Sequence, residues 1–159
     1  THQDSMGNKG RTVAGDVQVM SAGTGIRHSE YNLEDETTRI FQIWIEPATR
    51  GGQPAWGAKP FPRDGRAGRF VTLASGIDGD LDALPIRTNG RVAGATLKAG
   101  ETANYELGEG RYAYLVPATG RIVVNGVELE ARDGAAAKDE PRLSVTALED
   151  SEVVLVDAA

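Results

Sequence analysis

Cysteine is absent from the 159 residues, which excludes disulfides and thiolate metal sites. Histidine is nearly absent: His2 and His28 are the two present, and none follows His28. Any imidazole chemistry supplied by these residues therefore belongs to the first part of the chain. No apolar run approaches the length of a membrane-spanning helix, so no membrane partner is expected. Excess positive charge is also lacking. A formal net charge of -6 argues against an extended phosphate-binding surface, and nucleic acid is not an expected partner. Dinucleotide-binding, P-loop, zinc-protease and nucleophile-elbow patterns are missing as well.

Turn formers and short alternating runs are what the chain has. Its 20 glycines and 7 prolines favour many turns over long helices. Asp4-Ser5-Met6-Gly7-Asn8 reads as a tight polar loop, and residues 11–13 as a short strand. Residues 39–46 predict a central strand, with Ile40, Gln42 and Trp44 on one face and Phe41, Ile43 and Ile45 on the other. Residues 47–68 interrupt this pattern with Pro47, Pro54, Pro60, Pro62 and several glycines. They predict an extended inter-domain segment anchored by Trp56 and Phe61. Beyond it, short strands alternate with turns. The sharpest local signal is Asn125-Gly126 between Ile122-Val123-Val124 and Val127-Glu128-Leu129, a two-residue hairpin. Together these runs predict an all-β sandwich or barrel.

Candidate chemistry concentrates in residues 15–30, which end in His28-Ser29-Glu30. On an extended backbone His28 and Glu30 project to one face and Ser29 to the other. An imidazole and a carboxylate so placed suit half of a divalent-metal site. They equally suit a histidine paired with a nearby acid. Gln42 and Met20, on strands expected to flank the same cavity, are candidate pocket residues, with simple packing as their other role.

The run Gly15-Asp16-Val17-Gln18-Val19-Met20-Ser21-Ala22-Gly23-Thr24-Gly25-Ile26-Arg27-His28-Ser29-Glu30 resembles the signature of the pirin family, a branch of the cupin superfamily. So do His2-Gln3-Asp4-Ser5-Met6-Gly7-Asn8 and Phe41-Gln42-Ile43-Trp44-Ile45. The resemblance implies a cupin-type jelly-roll architecture in an all-β chain. Residues 1–48 would belong to an incomplete first cupin half, 49–68 to a crossing segment, and 69–159 to a second half without a metal site.

It also implies that the family's His-x-Glu ligand pair falls on His28 and Glu30. Two further histidine ligands would lie upstream of Thr1, on a longer chain or an N-terminal fragment acting as partner. His2 matches a family histidine that is not a ligand, which suits a pocket or supporting role. The implied metal is a first-row divalent ion, Fe(II) foremost. The implied activity is ring-opening 2,3-dioxygenation of a flavonol such as quercetin, with loss of carbon monoxide and with Glu30 as base. The competing implication is a non-enzymatic, metal-binding regulator acting through a protein partner. A third possibility is a metal-free all-β binding module. A cytoplasmic location is the expectation.

Overall fold

In a computed structural model describing residues 1–159, strands dominate and the sole helical element is a 3-10 turn at Arg63–Arg66. Strands β1 (His2–Asp4), β2 (Lys9–Gly10), β3 (Asp16–Ser21), β4 (His28–Glu30) and β5 (Ala55–Pro60) occupy the first part of the chain. β2, β1 and β4 form an antiparallel three-stranded sheet in that order, while β3 and β5 form a separate two-stranded ribbon. No helix is long and apolar enough to cross a membrane.

The second part is a sandwich, as the alternating runs predict. One layer contains β6 (Val71–Ser75), β7 (Leu84–Pro85), β8 (Gly90–Leu97), β10 (Tyr112–Thr119), β13 (Ala135–Lys138) and β15 (Ser151–Ala158). Its six strands run in the order β13-β10-β15-β8-β6-β7. The other layer, of four strands, contains β9 (Thr102–Glu106), β11 (Ile122–Val124), β12 (Val127–Leu129) and β14 (Arg142–Ala147). Period-two alternation explains the core between them. Ala93, Ala95, Leu97, Leu115, Val153 and Leu155 from the first layer meet Ala103, Ile122, Leu143 and Val145 from the second. The Asn125-Gly126 hairpin forms as read: Val124 pairs with Val127, and φ is 45° and 87° at the two turn residues.

The outer face of the six-stranded layer is also apolar, and the β3–β5 ribbon covers part of it. Val17 and Val19 pack there against the cluster of Phe61, Leu73, Ala74, Leu84 and Val92. Gly57 on β5 faces the same way: a β-carbon there would lie 3.5 Å from Cδ2 of Leu84. Arg66 is buried beside this joint, with its guanidinium 3.9 Å from Glu152, which Arg63 holds at 2.6 Å.

Four expectations need correction. Residues 39–46 form no strand, and Ile40, Phe41 and Trp44 are exposed, Trp44 at 87%. Alternation marks a capacity to pair, but a strand exists only where neighbouring backbone groups complete its ladder, and this segment finds none in the chain. Gln42, expected on a strand flanking the cavity, lies exposed on this irregular segment. Conversely, the proline- and glycine-rich segment contains β5. As one edge of a two-stranded ribbon it tolerates Pro54 just outside and Pro60 at its end. The short strand expected at 11–13 falls earlier, at Lys9–Gly10.

One end of the sandwich contains a buried polar network. The Asp157 carboxylate accepts hydrogen bonds from Tyr105 Oη at 2.8 Å and Arg111 Nε at 2.5 Å, with Arg91 Nη1 at 4.0 Å. Burial, followed by the Asp157 hydrogen bond and charge, pushes the Tyr105 hydroxyl well above its ordinary value. Removing the acid would strand the buried Tyr105 hydroxyl and the part-buried Arg111 Nε, whereas removing the phenol hydroxyl leaves Arg111 in place. Asp157→Ala is therefore expected to cost about 3–5 kcal/mol in urea unfolding. Tyr105→Phe should cost less, about 1.5–3 kcal/mol. Equal effects would mean that the two donors do not share the load in this way.

Candidate metal centre

The site is assembled on β1 and β4 and closed from one side by the ribbon. In the β1–β4 register His2 faces Glu30 and Asp4 faces His28. Alternation along β4 puts His28 and Glu30 on one face, with Ser29 turned the other way; His28 is exposed and the Glu30 side chain is 32% exposed. His2 is only 2% exposed. Its ring stacks on His28 at 5.8 Å and on Trp56 at 5.0 Å between centroids.

Both nitrogens of His2 are engaged. Nδ1 lies 3.4 Å from Glu30 Oε1, and Nε2 lies 3.3 Å from Asp4 Oδ2. Neither nitrogen is turned outward to a metal, so His2 suits a supporting role. Asp4 in turn organises the loop read from Asp4-Ser5-Met6-Gly7-Asn8. Its Oδ1 accepts the backbone N–H groups of Met6 at 2.9 Å and Asn8 at 3.0 Å, and its Oδ2 accepts Asn8 Nδ2 at 2.8 Å. Burial acts to raise the Asp4 carboxyl, but the donors from Asn8, His2 and Met6 outweigh it. They bring it from 3.8 down to about 2.

The ribbon adds two residues that the sequence did not mark as part of the site. Gln18 Nε2 donates to Glu30 Oε1, and Gln18 Oε1 accepts from Trp56 Nε1 at 3.3 Å. The ribbon register explains this. Gln18 and Met20 pair with Ala58 and Trp56, and alternation puts these four on the face opposite Val17, Val19 and Gly57. One signal for Gln18 was available: it is an amide flanked by Val17 and Val19 on a strand whose other face is apolar. Trp56 was read as an anchor, without its destination. The indole also explains a glycine, since a β-carbon at position 10 would lie 2.7 Å from Trp56 Cη2. Met20 shares the ribbon face with Gln18 and Trp56, whereas Gln42 makes no hydrogen bond to His2, His28 or Glu30.

The donor chemistry fits a first-row divalent ion in part. His28 has no hydrogen bond on its ring, and Glu30 Oε2 takes none from the chain, so one imidazole and one carboxylate oxygen are free to coordinate. The chain does not complete the set, because no three of its histidine, aspartate or glutamate side chains are grouped to hold a metal.

Asp4 gives a pH test. Its folded value lies below its ordinary one, so its contribution to stability is fully present above 3.8 and is lost as pH falls through about 2. Amide resonances of Met6 and Asn8 should titrate with a midpoint near 2, and Asp4→Asn should remove that transition. A midpoint at 3.8 would mean that the donors do not hold the carboxylate.

Comparison with known proteins agrees with this architecture. Residues 72–158 match the family model of the quercetinase C-terminal cupin domain, and residues 1–45 match that of pirin. A pirin-like protein of Caulobacter vibrioides is 72% identical over 159 residues, covering 100% of this chain and 68% of the relative. The quercetin 2,3-dioxygenase of Escherichia coli is 37% identical over 157 residues, covering 98% and 66%. Among solved structures, the bacterial pirin YhhW of Escherichia coli in complex with nickel(II) superposes with a TM-score of 0.88 at 35% identity, covering 99% of this chain and 66% of that one. The chain thus spans about two thirds of the length of these relatives. Family models across both parts and similarity along the whole of this chain lead to one conclusion: the chain belongs to the pirin family.

Proposed function

We propose that these residues form part of a metal-dependent flavonol 2,3-dioxygenase of the quercetinase type. The observation that carries this reading is the pair on one face of β4: His28 with both ring nitrogens free, and Glu30 with Oε2 free. The relative named quercetin 2,3-dioxygenase and the nickel complex of a pirin relative support it. In this reading His28 and Glu30 hold the ion and two further histidines come from upstream polypeptide. The exposed Ile40, Phe41 and Trp44 give that polypeptide an apolar surface to pack on.

Fe(II) is the ion we favour; when bound it supplies the redox chemistry for dioxygen and a Lewis acid for a chelating substrate. The chain's own residues supply the rest. Glu30 is also the general base that accepts the proton of the flavonol 3-hydroxyl. His2, buried against Trp56, keeps water from the inner side of the carboxylate. The division into a site-bearing first half, residues 1–48, a crossing segment, 49–68, and a supporting second half, 69–159, is part of the same proposal. A non-enzymatic regulator that meets a protein partner through the acidic residues Glu34, Asp35 and Glu36 is less favoured, because Arg11 binds Glu34 at 2.7 Å.

In the protein at the length of its relatives, His28→Ala should reduce bound metal from stoichiometric to trace and abolish quercetin-dependent oxygen uptake, with little change in melting temperature. Unchanged metal content would overturn the ligand assignment. The 159-residue chain alone should bind metal weakly and turn over no flavonol, since it offers two free donors. Metal-dependent oxygen uptake by that chain would overturn the need for upstream ligands.

A further inference from the structure

We propose that Trp56 and Gln18 act as a positioning arm that turns Glu30 into a one-point ligand. The inference rests on the reading of Glu30 as a ligand and adds how the carboxylate is aimed. Glu30 Oε1 receives Gln18 Nε2 and has His2 Nδ1 at 3.4 Å, whereas Oε2 receives no donor from the chain. A carboxylate with one oxygen occupied by two neighbours presents the other to a cation or a substrate proton, and chelation through both oxygens is disfavoured.

The direction of the Gln18 amide is what makes the arm work. An amide can present either its oxygen or its nitrogen to Glu30, and only the nitrogen binds the carboxylate without repulsion. The Trp56 indole N–H is a donor only, and it lies 3.3 Å from the Gln18 oxygen. It therefore selects the orientation that aims Nε2 at Glu30. The indole is itself held between its stack on His2 and its close fit against Gly10.

His28 depends on the same tryptophan by a different route. Its ring stacks on His2, and the ring of His2 stacks on Trp56. One residue of β5 thus sets both candidate ligands, Glu30 through hydrogen bonds and His28 through ring stacking. The two routes can be separated by substitution. Trp56→Phe keeps an aromatic face for His2 but removes the N–H that orients Gln18. Gln18→Leu removes the amide and leaves both stacks.

The test uses the protein at the length of its relatives, in two measurements. Crystals of the metal-free protein should show a single Glu30 carboxylate orientation in the unmodified form and a rotated or split one in Gln18→Leu and Trp56→Phe. Cobalt(II), a spectroscopic probe, should bind about 10–100-fold more weakly to both variants, with shifted visible bands and nearly unchanged melting temperature. A purely structural Gln18 would instead lower the melting temperature and leave the cobalt spectrum of the folded protein as it was, which would overturn the proposal. An unchanged Glu30 orientation in both variants would overturn it too. If the unmodified protein takes up no cobalt, the ligand reading of Glu30 fails. The metal-free crystals then still decide whether Gln18 and Trp56 aim the carboxylate.

Discussion

The burial of one face of a two-stranded ribbon is the interaction on which the rest depends. Isolated two-stranded ribbons are marginal in water. β3 and β5 persist because Val17 and Val19 pack on the outer face of the six-stranded layer, beside Leu84 and Val92. Full burial of such a side chain contributes about 1.5–3 kcal/mol, and the half-buried Val17 and Val19 each gain part of that. Alternation then leaves no freedom over the opposite face. If Val17 and Val19 face the sandwich, Gln18, Met20 and Trp56 must face away from it. A slip of one residue in β3 would bury Gln18 against Leu84 and turn valines toward Glu30. The same contact that stabilises the ribbon therefore decides which side chains reach the site.

The site on the far side of the ribbon is a graded sequence of environments. Asp4 is fully satisfied by donors, His2 is buried between two carboxylates and two rings, and Glu30 and His28 lie at the open surface. Each inner residue restricts the next one outward. Asp4 cannot rotate without releasing the loop amides of Met6 and Asn8, and His2 cannot tilt without losing Asp4 or the Trp56 stack. Rigid inner partners of this kind let exposed side chains keep their aim.

The legibility of this arrangement in the sequence varied for definite reasons. The sandwich and the Asn125-Gly126 hairpin were readable because alternation and turn chemistry are local, and their partners lie within the chain. The shared face of His28 and Glu30 was readable for the same reason. Residues 39–46 misled because their pattern is that of a central strand, yet pairing is a property of neighbours, and the chain supplies none. Gln42 fell with that strand. Gln18 was missed because its significance depends on register with β5, and β5 was hidden in a segment whose prolines and glycines read as a connector. Trp56 stood out as bulky, but nothing local says that an indole must meet His2 rather than the sandwich.

The two parts of the chain also divide their polar groups in opposite ways. At one end of the sandwich, buried polarity is closed: Asp157 is answered by Tyr105 and Arg111 within hydrogen-bond distance. The space between its layers is filled by small and branched apolar side chains, from Ala93 and Ala95 to Ile122 and Val145. The sandwich has no histidine, and Thr96 Oγ1 on β8 is its buried hydroxyl without a partner. Around β4 the polarity stays open, with two nitrogens on His28 and one oxygen on Glu30 left unanswered. Unanswered polar atoms are tolerable there because they lie near solvent, and burying such atoms unpaired costs several kcal/mol. In the proposed function the second part serves the chemistry as a foundation. It does so through the ribbon, whose inner face needs the sandwich and whose outer face holds Glu30.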